Sequence, residues 1–365
     1  MSLTSSKGPV YRVILGIVAT AAITGCQRSS TPPSAPPGPR VYVSDETGGA
    51  VVVVDPDAGR VIDRLSVGKR PRGLRLSADR SRLFVALSGS PIGGPGVDES
   101  KLPPPDRSAD GIGVLDLATH RLVQTYRSGQ DPETFDVAPD GKTLYVSNED
   151  AAEMSVLDLS TGSVRARVKV GEEPEGVTIR PDGREVYVTC EADNEVHAVD
   201  TSTLAVVGRM KVGPRPRSVV FTTDGALAFI TTENGQAVDV VDASQHSVVG
   251  KIEMPAKAGA PTPPRPMGAV LSRDGRQLFV SLGRAQSIAV IDVAARKVLK
   301  TIEEVGTRPW GIGVSPDGRK LYSANGPSGD VSVVDIESGK VDRRIAVGGS
   351  PWGIAVAEPT RGQTP

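Results

Sequence analysis

A four-residue strand-like pattern with an aromatic residue in second place recurs along almost the whole chain. The copies are VYVS at 41–44, LFVA at 83–86, LYVS at 144–147, VYVT at 186–189, AFIT at 228–231, LFVS at 278–281 and LYSA at 321–324. Their aromatic residues lie 42, 61, 42, 42, 50 and 43 positions apart. A near-constant period of this length indicates one supersecondary unit stacked repeatedly, rather than a set of unrelated domains.

Each copy has the same neighbours along the chain. A turn such as Pro139-Asp140-Gly141 precedes it, a β-branched run ending in aspartate follows it, and a further strand ends near Val-Gly. Because Pro, Asp and Gly set turn dihedral angles directly, each unit is predicted to hold four short strands and no helix. Seven such units predict an all-β fold, a seven-bladed β-propeller with four-stranded blades.

The repeat begins in a second strand, Val41–Ser44, and ends in a first strand, Pro351–Val356. These two fragments are expected to pair in one blade, which closes the ring over residues 41–357 and removes its free edges. A linear β-solenoid is the alternative, but it requires caps at both ends that the sequence does not show. Residues 358–365 are predicted to be a disordered tail.

The N-terminus has the pattern of a targeting segment. Lys7 and Arg12 precede an apolar run, 13–23, that is too short to span a bilayer and ends in Ile-Thr-Gly-Cys. This ending resembles the bacterial lipobox, so residues 1–25 are predicted to be a lipoprotein signal peptide and Cys26 the lipidated first residue of the mature protein. An ordinary secretory signal with an incidental cysteine is the alternative.

Residues 26–40 are rich in proline and serine, and we expect them to form a semi-extended tether that holds the propeller to the membrane. Gln27, rather than aspartate, follows the cysteine. Resemblance to sorted lipoproteins therefore implies the periplasmic face of the outer membrane, with the inner membrane as the alternative.

The repeats PDGKTLYVSNED and PDGREVYVTCEAD resemble the YVTN-type propeller repeat, over essentially all of 41–357. More narrowly, the segments DPETFDVAPDGKTLYVSNED, RPMGAVLSRDG and SPWGIAV are similar to those of propellers associated with PQQ-dependent alcohol catabolism. This resemblance implies an exported protein found alongside quinoprotein dehydrogenases, without an established activity of its own.

Composition excludes several classes of function. The 42 basic and 43 acidic residues are well mixed, so no nucleic-acid partner is predicted, and the chain is expected to be a monomer. His120, His197 and His246 fall on different blades and are expected at the surface, which argues against a histidine-rich metal site or a Ser–His hydrolase. Cys190 is the only other cysteine besides Cys26. It is predicted to be a small buried residue.

Two positions of every repeat are predicted to lie on one face, near the mouth of the central channel. The first follows the proline that opens each unit, and it reads Arg72, Glu133, Glu175, Arg217, Met267, Trp310 and Trp352. The second lies two places after each four-residue copy, and it reads Glu46, Ser88, Glu149, Glu191, Glu233, Gly283 and Gly326. A charged arc on blades 2 to 5 thus faces an apolar and aromatic arc on blades 6, 7 and 1.

Convergent charges beside aromatic side chains favour a binding site for a small molecule or a partner protein. We expect Arg72 and Arg217 to form exposed ion pairs with the glutamates and to hold an anionic group of the ligand. Channel lining, in which the charges only neutralise one another, is the alternative for these residues.

No cofactor is predicted, although crowded carboxylates can also gather a divalent cation such as Ca²⁺. A metal-dependent, lactonase-like hydrolase is therefore the second candidate function, and an adhesion module of the cell envelope is the third. Two insertions, Ser88–Gly111 and Met254–Pro266, are expected to project from the same face as a partial lid or a partner contact.

The lipid anchor is tested by Cys26→Ser. We expect this variant to accumulate as uncleaved precursor or as a soluble form that is extracted without detergent, because no thiol remains to carry the lipid. Membrane fractionation and the mass of the mature N-terminus report the result. Wild-type fractionation of the variant would contradict the anchor.

Overall fold

The computed structural model describes residues 8–9, 38–93, 98–256 and 262–358. Outside these ranges lie the predicted signal peptide apart from residues 8–9, Cys26, the tether up to residue 37, and the predicted tail from residue 359. The described part folds into 28 strands, which form seven four-stranded sheets. No helix in this part of the chain is long and apolar enough to cross a membrane.

The strands in chain order are β1 (Arg40–Asp45), β2 (Ala50–Asp55), β3 (Arg60–Ser66), β4 (Leu74–Leu76), β5 (Arg82–Leu87), β6 (Gly111–Asp116), β7 (Arg121–Tyr126), β8 (Pro132–Val137), β9 (Thr143–Asn148), β10 (Glu153–Asp158), β11 (Ser163–Lys169), β12 (Pro174–Ile179), β13 (Glu185–Cys190), β14 (Glu195–Asp200), β15 (Val206–Lys211), β16 (Pro216–Phe221), β17 (Leu227–Thr232), β18 (Ala237–Asp242), β19 (Ser247–Glu253), β20 (Ala269–Leu271), β21 (Gln277–Ser281), β22 (Ile288–Asp292), β23 (Lys297–Ile302), β24 (Pro309–Val314), β25 (Lys320–Asn325), β26 (Asp330–Asp335), β27 (Lys340–Ala346) and β28 (Pro351–Ala357). Short 3₁₀ helices span Glu99–Lys101, Glu149–Ala151 and Gly283–Ala285.

Pairing of the two chain ends closes the ring. Blade 1 combines β28 with β1, β2 and β3, and blades 2 to 7 each use four consecutive strands, starting from β4. Strands β28 and β1 are antiparallel, with Val41 opposite Val356 and Val43 opposite Ile354. Each inner strand contacts the inner strand of the next blade, from β28 through β4, β8, β12, β16, β20 and β24 back to β28. The predicted all-β, seven-bladed propeller is confirmed.

The aromatic residue of each four-residue copy fills the interface with the next blade. Tyr187 of blade 4 is fully buried, and its ring centroid lies 4.8 Å from that of Phe221 in blade 5. Tyr322 of blade 7 packs against Val41 and Val52 of blade 1, so the same contact crosses the joint between the chain ends. A lone four-stranded sheet could not bury this ring, which explains why the pattern recurs in every unit.

The turn between the first and second strands of a blade lies on the face opposite the channel mouth, and its side chains hold its shape. In blade 3, the carboxylate of Asp140 accepts a hydrogen bond of 2.9 Å from the N–H of Lys142. Gly141 follows with a φ of 68°, in the left-handed region that favours glycine. These contacts explain why the Asp-Gly pair recurs in the turns.

The hydroxyl group that ends most of the four-residue copies joins neighbouring blades. In blade 4, Thr189 Oγ1 accepts a hydrogen bond of 2.7 Å from the N–H of Gly176 in the inner strand of its own sheet. The same hydroxyl donates to the carbonyl oxygen of Arg217, 3.3 Å away in blade 5. The equivalent donors are Ser44 to Arg72, Ser147 to Glu175, Thr231 to Met267 and Ser281 to Trp310, each at 2.7 Å.

Two blades lack this bridge. Blade 2 has Ala86 at the position, and there the backbone N–H of Gly73 donates directly to the carbonyl of Glu133 at 3.2 Å. In blade 7, Ser323 Oγ instead donates to the side chain of Asn325 at 3.1 Å. The backbones of neighbouring inner strands also approach closely, which explains the glycine of the Pro-x-Gly step. A Cβ at Gly311, for example, would lie 2.6 Å from the carbonyl oxygen of Trp352.

Thr189→Val tests this bridge, because valine keeps the shape of the side chain and removes the hydroxyl. We expect the variant to lose about 1–3 kcal/mol of unfolding free energy, since the buried N–H of Gly176 and the carbonyl of Arg217 lose their partner. Chemical denaturation measures the loss. Thr189→Ser is the control and should remain much closer to the wild type; equal losses in both variants would show that packing, and not the hydroxyl, joins these blades.

Candidate ligand-binding site

The two predicted sets of residues lie side by side around one end of the channel. The N–H of Glu191 donates to the carbonyl of Glu173 at 3.0 Å, and the N–H of Glu149 donates to the carbonyl of Asp131 at the same distance. These bonds join the turn after each second strand to the turn that enters the first strand. In blades 1, 3, 4, 5 and 7 the ladder shifts register after the entering proline, as between Pro174 and Val177, which releases the intervening side chain from the regular pattern.

A small cavity occupies the channel below this mouth. Its volume is about 120 Å³, and residues from the inner strands of all seven blades line it, among them Glu175, Arg217, Met267, Trp310 and Trp352. The channel therefore offers space for one small group of a ligand, and any larger ligand must lie at the mouth.

Arg217 is the centre of a buried ion-pair network. Its guanidinium group contacts the carboxylates of Glu175, Glu191 and Glu233, the last at 2.7 Å. Arg215 adds a second cation, with its Nε 2.8 Å from Glu191. Arg217 is only 7% exposed, so the expectation of an exposed ion pair is wrong. The inner strands converge so closely that the side chains of blades 4 and 5 enclose one another and exclude water.

Arg72 organises a second network on the other side of the acidic arc. Its guanidinium group contacts Asp131 and Glu133, and it lies 3.8 Å from Glu149. Arg72 is 3% exposed, so it too is buried rather than exposed as expected. Carboxylate oxygens of Asp131, Glu133 and Glu149 lie within 4.8 Å of one another, a spacing that could hold a metal ion. The guanidinium group of Arg72 already supplies the positive charge at this place.

Glu46, on blade 1, adjoins the Arg72 network, because Arg70 pairs with both Glu46 and Asp131. Its Oε1 is 3.1 Å from Nε of Arg70, and both residues border a crevice of about 630 Å³ between the turns of blades 1 and 2 and the first insertion.

Burial and charge divide the carboxyl groups into two kinds. Burial raises the pKa of Glu149 and of Glu175, and the neighbouring arginines offset this only in part. At Asp131, burial is outweighed by the charge of Arg72, so its pKa is lowered. At Glu233, burial is outweighed by Arg217 and Arg215, and the pKa is lowered again. The arc therefore holds firmly ionised carboxylates beside two that keep their protons to higher pH.

The aromatic arc is packed against the charged one. The rings of Trp310 and Trp352 stack with centroids 5.3 Å apart and an angle of 27° between their planes. The guanidinium carbons of Arg217 and Arg308 lie 5.2 and 4.9 Å from the centroid of Trp310. Met267 is 1% exposed, so its side chain is a core residue of the channel wall. The two indoles remain partly exposed.

A third ring of side chains escaped the sequence reasoning. It consists of the residue before each entering proline, which reads Arg70, Asp131, Glu173, Arg215, Arg265, Arg308 and Ser350. Several of these residues have a positive φ, among them Asp131 at 52° and Arg308 at 53°. The signal was present in the sequence, because the residue before proline recurs in every unit at a fixed offset from the predicted ring.

Arg308 differs from the other arginines of this ring. Arg70 and Arg215 pair with glutamates, whereas Arg308 forms no ion pair with any residue that the structure describes. Burial and the nearby guanidinium groups of Arg217 and Arg284 lower its pKa, although Glu233 acts in the opposite direction. Its side chain is half-buried against Trp310. Arg308 is thus a half-buried cation that shares the charge of Glu233 with Arg217 and Arg215 and has no ion pair of its own among the described residues.

A sequence comparison decides the family. The model of the YNCE-like beta-propeller family matches residues 98–182 and 179–360, which together span 98–360. The chain belongs to the YNCE-like beta-propeller family. No curated protein matches this YNCE-like propeller in sequence.

Solved structures of low identity share the fold of this YNCE-like propeller. The periplasmic gluconolactonase of Pseudomonas aeruginosa is 21% identical, with a TM-score of 0.70 over 87% of this chain and 99% of that chain. A protein from Lactobacillus plantarum is 18% identical, with a TM-score of 0.73 over 88% and 100%. A chain of the hydrazine synthase of Kuenenia stuttgartiensis is 19% identical, with a TM-score of 0.64 over 79% and 95%.

The two insertions of this YNCE-like propeller flank the mouth from different sides. The first is tied down by ion pairs from Lys69 to Asp106 at 2.7 Å and from Arg107 to Asp150 at 2.6 Å. In the described part of the second, Thr262 Oγ1 donates to the carbonyl of Arg284 at 3.1 Å. The described part of the second insertion therefore borders Arg284 of blade 6, and the first insertion borders blades 1 to 3.

Cys190 and the three histidines of this YNCE-like propeller lie away from the two arginine networks. Cys190 is fully buried, as predicted, and burial raises the pKa of its thiol to about 12. His120 pairs with Asp63 and His246 with Glu185, each in the turns opposite the mouth. His197 was expected at the surface, but it is 3% exposed, because its strand β14 lies inside blade 4 and its Nε2 bonds Glu195 at 2.9 Å.

Arg217→Met tests whether the central network is structural. We expect the variant to lose about 3–5 kcal/mol of unfolding free energy, because Glu175, Glu191 and Glu233 lose their central cation and Arg215 remains beside only the last two. Without Arg217, the pKa values of these carboxylates rise above their values in the unfolded chain, so the folded state binds protons more tightly. The deficit should therefore grow as the pH rises above the ordinary range of glutamate and shrink as it falls.

Denaturation curves from pH 4 to 8 measure this effect. Arg276→Met is the matched control, because the Arg276 side chain is 85% exposed on the opposite face and its ion pair contributes little. Equal and small losses in the two variants would contradict a structural network.

Proposed function

We propose that this propeller is an exported, lipid-anchored binding protein without catalytic activity, which holds an anionic ligand at the mouth of its channel. The observation that carries the proposal is Arg308, a guanidinium group stacked on Trp310 and paired with no carboxylate among the described residues. A guanidinium group stacked on an indole keeps its N–H edges free, and these edges suit a carboxylate or phosphate group.

Charge neutralisation inside the mouth supports the choice of Arg308. Arg72 and Arg217 are each surrounded by at least three carboxylates, so neither offers an unsatisfied positive charge to a ligand. The ligand-binding role that the sequence suggested for these arginines therefore passes to Arg308. Trp352 supplies a partly exposed apolar surface beside it, since it stacks on Trp310.

The export and anchoring of the protein rest on the N-terminal sequence that ends at Cys26. The resemblance to propellers associated with PQQ-dependent alcohol catabolism supports a place in periplasmic quinoprotein metabolism. A binding protein tethered there would retain its ligand near the membrane, where quinoprotein dehydrogenases act.

A metal-dependent lactonase is the second candidate. It is favoured by the three clustered carboxylates of Asp131, Glu133 and Glu149, and by the similar fold of a periplasmic gluconolactonase. Against it stands Arg72, whose guanidinium group contacts two of these carboxylates and approaches the third. A divalent cation would have to displace a buried arginine, so the donor set does not fit a resident metal ion.

The proposal predicts that propane-1,2,3-tricarboxylate, used as an anionic probe, binds to the wild-type propeller and loses at least about tenfold in affinity to Arg308→Gln. Isothermal titration calorimetry measures both constants. Arg276→Gln carries the same charge change on the opposite face and should bind as the wild type does. Undiminished binding to Arg308→Gln would refute the site. Lactone hydrolysis that depends on added Ca²⁺ and is lost in Glu149→Gln would favour the second candidate.

A further inference from the structure

Three arginines on neighbouring loops of blades 6 and 7 lack a carboxylate partner among the described residues. Arg265 precedes the proline that enters blade 6, Arg284 lies in the 3₁₀ helix Gly283–Ala285, and Arg308 precedes the proline that enters blade 7. Arg284 is exposed and the other two are half-buried. All three lie on the face that carries the mouth.

Backbone contacts hold the three arginines close together. The N–H of Arg265 donates to the carbonyl of Leu282 at 3.1 Å, and a Cβ at Gly283 would lie 3.2 Å from Cβ of Arg265. The helix that carries Arg284 in turn contacts β24, which begins directly after Arg308. The positions of the three residues are therefore fixed by packed backbone rather than by long free loops.

The sequence of blades 6 and 7 explains why these charges remain uncompensated. Where blades 3, 4 and 5 place Glu149, Glu191 and Glu233, blades 6 and 7 have Gly283 and Gly326. The side chain of Arg265 contacts a neutral group instead, the amide oxygen of Asn234, and its Nε is buried without a hydrogen-bond partner. Glycine also leaves space at the places that glutamate occupies in the other blades.

The opposite side of the mouth limits the size of an anionic ligand. Blades 3 and 4 present acids at the rim, with Glu149 half-buried and Asp150 and Glu173 exposed, whereas Asp131, Glu133, Glu175 and Glu191 are buried in the arginine networks. A long polyanion such as a nucleic acid would cross this acidic sector and be repelled. A compact anion confined to blades 6 and 7 would not.

We infer that the ligand is a small polyanion with at least two acidic groups, one held by Arg308 and the others by Arg284 and Arg265. This inference rests on the proposed anion site and adds the charge and size of its ligand. Carboxylate and phosphate groups share the required chemistry, since both accept paired hydrogen bonds from a guanidinium group. A monoanion would leave two of the three cations without a counter-charge.

A charge series tests the inference at constant pH and ionic strength. Propionate, succinate and propane-1,2,3-tricarboxylate differ mainly in their number of carboxylates, and inorganic pyrophosphate supplies the phosphate form. We expect affinity to rise by about tenfold with each added carboxylate in the wild type. In Arg284→Gln and Arg265→Gln the gain from the third carboxylate should disappear, while Arg276→Gln retains the full series.

The outcomes separate the two proposals. If propionate binds as tightly as the tricarboxylate and both lose affinity in Arg308→Gln, the anion site stands and the polyanion is refuted. If no probe shows binding that depends on Arg308, the anion site itself fails. Tighter binding of pyrophosphate than of the tricarboxylate, again lost in Arg284→Gln, supports the polyanion with phosphate as its acidic group.

Discussion

The hydroxyl group at the end of the four-residue copy is the interaction on which the rest of the structure depends. In five blades it accepts a backbone N–H of its own inner strand and donates to a carbonyl of the next inner strand. Adjacent blades share no continuous ladder, so this bond fixes the inner strands relative to one another. In four of these blades a register shift after the entering proline leaves backbone groups out of the ladder, and the hydroxyl satisfies them.

This arrangement forces seven side chains of four chemical kinds (arginine, glutamate, methionine and tryptophan) into one narrow space. The carbonyl of Arg217 is held by the preceding blade, so its side chain must extend into the channel, where Glu175 and Glu233 extend as well. Buried charges of opposite sign then pair, since an unpaired one would be costly. What remains available to a ligand is the excess of charge after this pairing. That excess lies with Arg308, on the side where glycine replaces glutamate.

The fold was predictable from the sequence because one period decided it. Tyr187, the Asp-Gly turns and the closing strand β28 all follow from a repeat in which each unit buries its aromatic residue against the next. The placement of Glu149 and Glu191 on one face followed from strand order alone. The burial of Arg72 and Arg217 did not, because it depends on the width of the channel, which no single repeat encodes. Arg308 was not predicted, because what distinguishes it from Arg70 and Arg215 at the same position of other repeats is the lack of an ion pair, which a single repeat does not encode.

The pairing of β28 with β1 also sets the order of events when the chain folds. Blade 1 acquires its inner strand from β28, the last strand of the propeller in chain order, so β1 keeps an open edge until β28 has been synthesised. Among the strand pairs of the propeller, β1 and β28 have the greatest sequence separation, as between Arg40 and Ala357, and such contacts form slowly. The edge of β1 is therefore protected only once β28 is present to pair with it. A polypeptide that ends early exposes a strand edge rich in valine and aromatic residues, which is a template for aggregation and a substrate for quality control.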